Sequence, residues 1–143
     1  MTLNVDVCFL VAQEVARRFM IPRQSGKIIN IASIAGFKGN RANSGIHTVA
    51  YNTSKAAAIN LTRALAGEWG QYNINVNAIC PGYFPTKLAK GLEKVTELIK
   101  QGTPLGRIGG EEDIKGAAVF LASEASRHVS GQALAVDGGN SAV

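Results

Sequence analysis

Apolar positions along the chain switch between two periods. From Val5 to Met20, the residues Cys8, Val11, Ala12, Val15 and Phe19 recur at three- and four-residue steps, which places them on one face of a helix. Pro22 and Gly26 are expected to break it. Lys27-Ile28-Ile29-Asn30-Ile31-Ala32-Ser33 is short, β-branched and mostly apolar, which suits a strand covered on both faces of a parallel sheet. A glycine- and asparagine-bearing loop, Gly36 to His47, follows it. A long helix then begins around Tyr51 and reaches about Trp69, with Ala58, Leu61, Leu65 and Trp69 as its packed stripe. Ile74 to Cys80 is a second strand, stopped by Pro81-Gly82. Phe84 to Gln101 reads as a loop and a mobile helix, to which Leu88, Leu92, Val95 and Leu98 give an apolar face. Gly102-Thr103-Pro104-Leu105-Gly106 is a turn. The acids Glu111, Glu112 and Asp113 suit the start of a helix, which runs through Ala117, Val119, Phe120 and Leu121 to about Ser123. Ala133 to Val136 is a third strand, ahead of Asp137-Gly138-Gly139.

Helix, strand, helix, strand, helix, strand is the pattern of an α/β fold with two βαβ crossovers. No repeat, linker or low-complexity stretch divides residues 1–143, so a single domain is expected. Composition changes little in this picture: 46% hydrophobic and 17% charged residues are ordinary for a globular chain. No apolar run approaches the ~18–20 residues of a membrane span. The first residues, Met1 to Asp6, lack a basic n-region, so no secretory signal is expected and a cytoplasmic location is. The net charge of +5 comes from scattered residues such as Arg17, Arg18, Arg23, Lys27, Lys38 and Arg41. That reads as a solvated surface and speaks against a nucleic-acid partner. Cys8, Cys80, His47 and His128 lack metal-ligand spacing, so no metal is expected. Cys8 falls in the first helical stripe and reads as core; Cys80 ends the second strand, near where a site would form.

Tyr51 and Lys55 are the candidate chemistry. Four apart on a helix, they share one side. A free phenol titrates near pH ~10 and is a poor proton carrier at neutrality. An adjacent ammonium favours the phenolate and lowers that value, toward the range that carbonyl and alcohol chemistry needs. A helix can carry such a pair by chance, so its surroundings decide.

Asn4, the strand end Asn30-Ile31-Ala32-Ser33, Tyr51-x-x-x-Lys55, Asn75-Val76-Asn77-Ala78-Ile79-Cys80-Pro81-Gly82 and Val136-Asp137-Gly138-Gly139 occur in one order. In this the chain resembles the short-chain dehydrogenase/reductase family, in the form of the 3-oxoacyl-carrier-protein reductases and gluconate dehydrogenases, from Asn4 to Gly139. The resemblance implies a partial Rossmann-like, doubly wound parallel sheet of about three strands with flanking helices. It implies NAD or NADP as cofactor, a small-molecule ketone or secondary alcohol as substrate, such as a 3-oxoacyl or sugar-acid compound, and a homo-oligomer. By resemblance Tyr51 is the catalytic acid/base, and Lys55 tunes it and binds the nicotinamide ribose. Ser33 holds the substrate oxygen, and Asn4 supports a relay water beside the lysine. Two simpler roles stay open: Ser33 as the partner of a strand-end backbone group, and Asn4 as a helix N-cap. Tyr51, Lys55, Pro81, Gly82, Phe84 and Thr86 match the family's cofactor-binding positions, and residues 87–101 its variable substrate lid.

The pattern departs from the family in two places. Ser33 and Tyr51 lie 18 positions apart, several more than usual, which makes Ser44 a distant rival for the serine role. The family also opens with a strand, a glycine-rich turn and a helix that bind the dinucleotide pyrophosphate. No such element occurs in these residues, and Gly102 to Gly110, with Pro104 and no preceding strand, does not substitute for it. The chain therefore reads as the C-terminal portion of such an oxidoreductase, lacking the N-terminal dinucleotide-binding half. The alternative is a catalytically incompetent fragment acting as an oligomerisation or interaction module.

Overall fold

A computed structural model describes residues 3–39, 48–85 and 93–143. Three parallel strands form its sheet, in the order β1 (Gly26–Ile31), β2 (Ile74–Pro81), β3 (Ala133–Val136). The register pairs Ile28 with Val76 and Ile31 with Ile79, then Cys80 with Ala135 and Pro81 with Val136. β2, central in the sheet, is buried from Ile74 to Cys80 except at Asn75. Helices α1 (Asp6–Val15), α2 (Ile21–Arg23), α3 (Val49–Trp69), α4 (Glu93–Gln101) and α5 (Glu111–Ala122) complete the α/β architecture that the periodicity predicts.

The core has two parts. Ala32, Ile34, Ala58, Ile59, Ala78 and Cys80 pack where the carboxyl ends of β1 and β2 meet α3. Ala12, Ala16, Leu65, Ile74 and Val76 pack at the other end, with Ile28, Leu61 and Trp69 against them. Fully burying a side chain the size of Ile74, Val76 or Ile79 contributes ~1.5–3 kcal/mol, so β2 is the element around which the rest condenses. Asn75 and Asn77 stitch the loop before β3 onto it. Asn77 Nδ2 donates to the Val129 carbonyl at 2.8 Å and its Oδ1 accepts from Gln132 N at 3.0 Å, while Asn75 Nδ2 donates to the carbonyls of Arg127 and Val129.

Several expectations need correction. The first helix does not stop at Met20. A wider π-helical turn, Ala16–Met20, leads into α2, and the chain turns at Gln24, which adopts a left-handed φ of 52°. Pro22 has no N–H to donate, and the widened turn accommodates that loss. On its face only Ala12 and Ala16 are buried; Val11 and Phe19 are more than half exposed. Val119 and Phe120 of α5 are exposed too, and Leu121 alone in that helix is buried. Leu98 of α4 lies in solvent, whereas Leu88, Leu92 and the side chain of Val95 lie outside the described residues. α5 starts as its acids predict: Asp113 accepts from Gly110 N at 2.7 Å and takes both Arg107 Nη1 and Nη2. That pairing with Arg107, helped by the Gly110 N–H, holds the Asp113 carboxyl well below the usual range.

Candidate active site

β1 and β2 end side by side, because they are parallel neighbours in register, and the segments leaving them carry the candidate residues. Ligands bind at this carboxyl edge in open α/β sheets. Ser33 follows β1 in extended conformation, and its Oγ accepts from Ala35 N at 3.1 Å, capping the short 3₁₀ turn Ile34–Gly36. The simpler role considered for Ser33, as partner of a backbone group, is thus met, and its hydroxyl proton stays available for a second partner. The turn lies directly on α3. A Cβ on Gly36 would stand 2.8 Å from Ala56 N and from the Lys55 carbonyl carbon. Glycine is what lets the serine segment touch the helix backbone at the lysine.

α3 begins at Val49, two residues before Tyr51, and presents Tyr51 and Lys55 one turn apart. The Lys55 ammonium lies 5.7 Å from the Tyr51 ring centroid, within reach of a cation–π attraction. Lys55 Nζ also donates to the Ile31 carbonyl at 3.0 Å, which ties the helix to the last residue of β1. Tyr51 is 44% exposed, so its phenol is open to a reactant.

Asn4 reaches the same turn of α3. Its Nδ2 donates to Ser54 Oγ at 3.0 Å, and Ser54 Oγ donates to the Tyr51 carbonyl at 2.8 Å. Asn4 does not cap α1, whose N-cap position is Val5 and has no side-chain hydrogen bond. Ser54 is 2% exposed, and sequence reasoning gives it no role, although its place between the two candidate residues is the signal that could find it. Asn4 and Lys55 both line an open groove of about 490 Å³ between α1 and β1, the edge strand among the described residues.

Pro81 ends β2 and Gly82 turns against Asp137, where a Cβ would stand 2.6 Å from the Asp137 Cβ. Gly82 N donates to the Val136 carbonyl at 3.0 Å. The Phe84 ring packs against Gly109 and faces Pro104 and Leu105 across a second cavity. Thr86, Ser44 and His47 lie outside the described residues. Cys80 is fully buried beside Ser33. Burial pushes its thiol up to about 11, against the opposing pull of the Ser33 backbone N–H and the charges of Lys55 and Arg63, which disfavours the nucleophilic thiolate at neutral pH. Among the described residues no cluster of three or more His, Cys, Asp or Glu could hold a metal. No helix of the described residues is long and apolar enough to cross a membrane.

The profile of the family described as enoyl-(acyl carrier protein) reductase matches residues 1–141. The 2-dehydro-3-deoxy-D-gluconate 5-dehydrogenase of Dickeya dadantii is 46% identical over 97% of this chain and 54% of its own length. A 3-oxoacyl-[acyl-carrier-protein] reductase of Aquifex aeolicus is 37% identical over 96% of this chain and 53% of its own. The crystal structure of a gluconate 5-dehydrogenase from Burkholderia cenocepacia, in complex with NADP and tartrate, superposes with a TM-score of 0.87 at 40% identity, covering 98% of this chain and 54% of that one. The chain spans about half the length of the relatives it matches. A three-stranded parallel sheet with its tyrosine, lysine and serine at one carboxyl edge, read with these likenesses, leads to one assignment: the chain belongs to the short-chain dehydrogenase/reductase family.

Proposed function

We propose that this chain carries the proton-transfer site of an NAD(P)-dependent oxidoreductase that interconverts a ketone and a secondary alcohol. The observation that supports this best is the Tyr51–Lys55 pair, with the ammonium 5.7 Å from the ring centroid and the Ser33 turn packed on the helix backbone at Lys55 and Ala56. In the reduction direction Tyr51 gives its phenolic proton to the substrate oxygen; in oxidation it takes the hydroxyl proton. Ser33 donates to the same oxygen while its lone pair holds Ala35 N. Lys55 places positive charge beside the phenol, and Asn4, through Ser54, holds the turn that carries both.

The residues present suit a nicotinamide nucleotide. Lys55 offers an ammonium at the rim of an open groove along β1, and Pro81, Gly82 and Phe84 leave the adjacent strand. Lys55, Pro81, Gly82, Phe84 and Thr86 would hold the cofactor's nicotinamide end, and the cofactor when bound supplies the hydride. Relatives named for gluconate or 2-dehydro-3-deoxy-D-gluconate are 42–46% identical to this chain and a 3-oxoacyl-[acyl-carrier-protein] reductase reaches 43%, so a keto sugar acid and a 3-oxoacyl thioester are the two substrate classes proposed. The segment for the pyrophosphate lies in the other half of such proteins, so the site is proposed as one part of a larger whole. A second reading, an association module, is supported by the exposed Val11 and Phe19 and by the outer edge of β1, unpaired among the described residues.

Joining the first half of a gluconate 5-dehydrogenase relative to this chain tests the proposal. The chimera is expected to oxidise NADPH in the presence of a 5-keto sugar acid, and Tyr51→Phe is expected to cut kcat by ~10²–10⁴-fold, since only the proton carrier is removed. Near-full turnover in Tyr51→Phe would overturn the assignment.

A further inference from the structure

The start of α3 is held in an unusual way. Thr48, its N-cap residue, makes no side-chain hydrogen bond to the first-turn N–H groups; its Oγ1 donates instead to Asn52 Oδ1 at 2.8 Å. Asn52 then donates through Nδ2 to the Lys38 carbonyl at 2.9 Å. Both ends of the Asn52 amide are used, so its orientation is set. Lys38 continues the chain of bonds: Nζ reaches the Asn140 carbonyl at 3.0 Å and Asn140 Oδ1 at 3.4 Å, across 102 residues of sequence. Asn140 Nδ2 donates to the Gly102 carbonyl at 3.2 Å, just past the end of α4. Asn140 itself sits in a rigid turn. Asp137 below it accepts from Gly139 N at 3.0 Å and Ser141 N at 2.7 Å, and the left-handed Gly138 and Gly139 pack on Thr103 and Pro104.

One line of hydrogen bonds therefore joins three places: the residue next to Tyr51, the segment that leaves Ser33, and the turn after α4. We propose that Lys38 and Asn140 are positioning residues, which through Asn52 set the tyrosine turn of α3 against the serine segment. The inference rests on the catalytic reading of Tyr51 and Ser33 above. Physically, the serine segment shares a core cluster with α3 through Ile34, Ala58 and Ile59, and two further contacts hold it nearer the site. Gly36 meets the backbone at Lys55 and Ala56, and Lys38 meets Asn52 one turn earlier. The core packing and the Gly36 contact all lie at or after Lys55. The Lys38 contact, anchored at the far side by Asn140, holds the segment at Asn52, the residue next to Tyr51. A shift of about 1 Å at a reacting group can cost ~10²-fold in rate, so such an anchor bears on catalysis without touching substrate.

Amide hydrogen exchange on the 143-residue chain tests the link without turnover. Lys38→Met and Asn140→Ala are each expected to speed exchange about tenfold at Asn52 N and at Gly36 N and Phe37 N, and to leave the β2 amides unchanged. Lys38→Arg keeps a donor at that place and is expected to behave as the parent chain. The double variant should be no looser than either single one, since both cut the same line. Unchanged exchange at Asn52 N in Lys38→Met, or equal loosening in Lys38→Arg, would overturn the link. Lys38 is exposed, so this variant decides the matter even where Asn140→Ala loosens the whole fold. In the chimera with a relative's first half, Lys38→Met is expected to lower kcat about tenfold with KM for NADPH within about twofold, and Lys38→Arg to restore it. An unchanged kcat in an active chimera would refute the positioning role. A chimera inactive even with the parent residues would refute the catalytic reading and the positioning role with it, while exchange still reports on the bonds themselves.

Discussion

Gly36→Ala isolates the contact between the serine segment and the tyrosine helix. The added Cβ would lie 2.8 Å from Ala56 N, from the Lys55 carbonyl carbon and from Ile59 Cδ1. The Ile59 methyl can rotate away, but the two backbone atoms cannot. Ordinary contact begins at 3.4 Å, so the turn Ile34–Gly36 has to retreat by roughly 0.6 Å, and Ala32 and Ile34 then separate from Ala58 and Ile59 in the core. Overpacking of this kind costs ~1–3 kcal/mol. Gly36 is not among the residues with positive φ, so alanine adopts its backbone and returns ~0.4–1 kcal/mol through the unfolded chain. The expected net loss is about 1–2 kcal/mol. Gly67 is the control: it lies exposed inside α3 with nothing within 4 Å of an added Cβ. Gly67→Ala is expected to gain up to ~1 kcal/mol from helix propensity alone. Urea unfolding followed by circular dichroism, with equal m-values, measures both variants. If Gly36→Ala proved as stable as Gly67→Ala, the close packing of the serine turn on α3 would be refuted.

Two further outcomes follow from other parts of the molecule. Cys80, with its thiol pushed up to about 11 from an ordinary 9.0, should carry ~100-fold less thiolate at pH 8 than a free cysteine and should alkylate after the partly exposed Cys8; equal rates would contradict its burial. Because the fold keeps that thiol neutral, its contribution to stability is whole below pH 9 and is lost as pH rises through about 11, which a denaturation series across that range measures. The outer edge of β1, unpaired among the described residues and sharing a groove with the exposed Val7 and Val11, is expected to drive self-association at micromolar concentration in sedimentation, and a stable monomer with cooperative unfolding would count against it.

Local chemistry made much of this protein legible from residue order. β1 and β2 follow from short β-branched runs, though only β2 is buried as such a run predicts while β1 is half-buried with Ile31 exposed, and α5 follows from three acids that match a helix start. The Tyr51–Lys55 pairing needs nothing beyond the 3.6-residue period. What the period could not decide is which side of a helix finds a neighbour. Val11 and Phe19 repeat as regularly as Ala12 and Ala16, but only the alanines meet β2 and α3, because burial depends on elements far away in sequence. The first helix runs past its expected end for a related reason: Pro22 forbids one hydrogen bond, and whether the chain breaks or widens depends on what the next turn packs against. The contacts that align the site are longer-range still. Asn4 with Ser54, Lys55 with the Ile31 carbonyl, and Lys38 with Asn140 join residues 24 to 102 positions apart, and each hydrogen bond exists only because the parallel sheet has already brought its two ends together. Sequence determined the candidate site residues and the helix and strands that bear them; their mutual distances were decided by the fold.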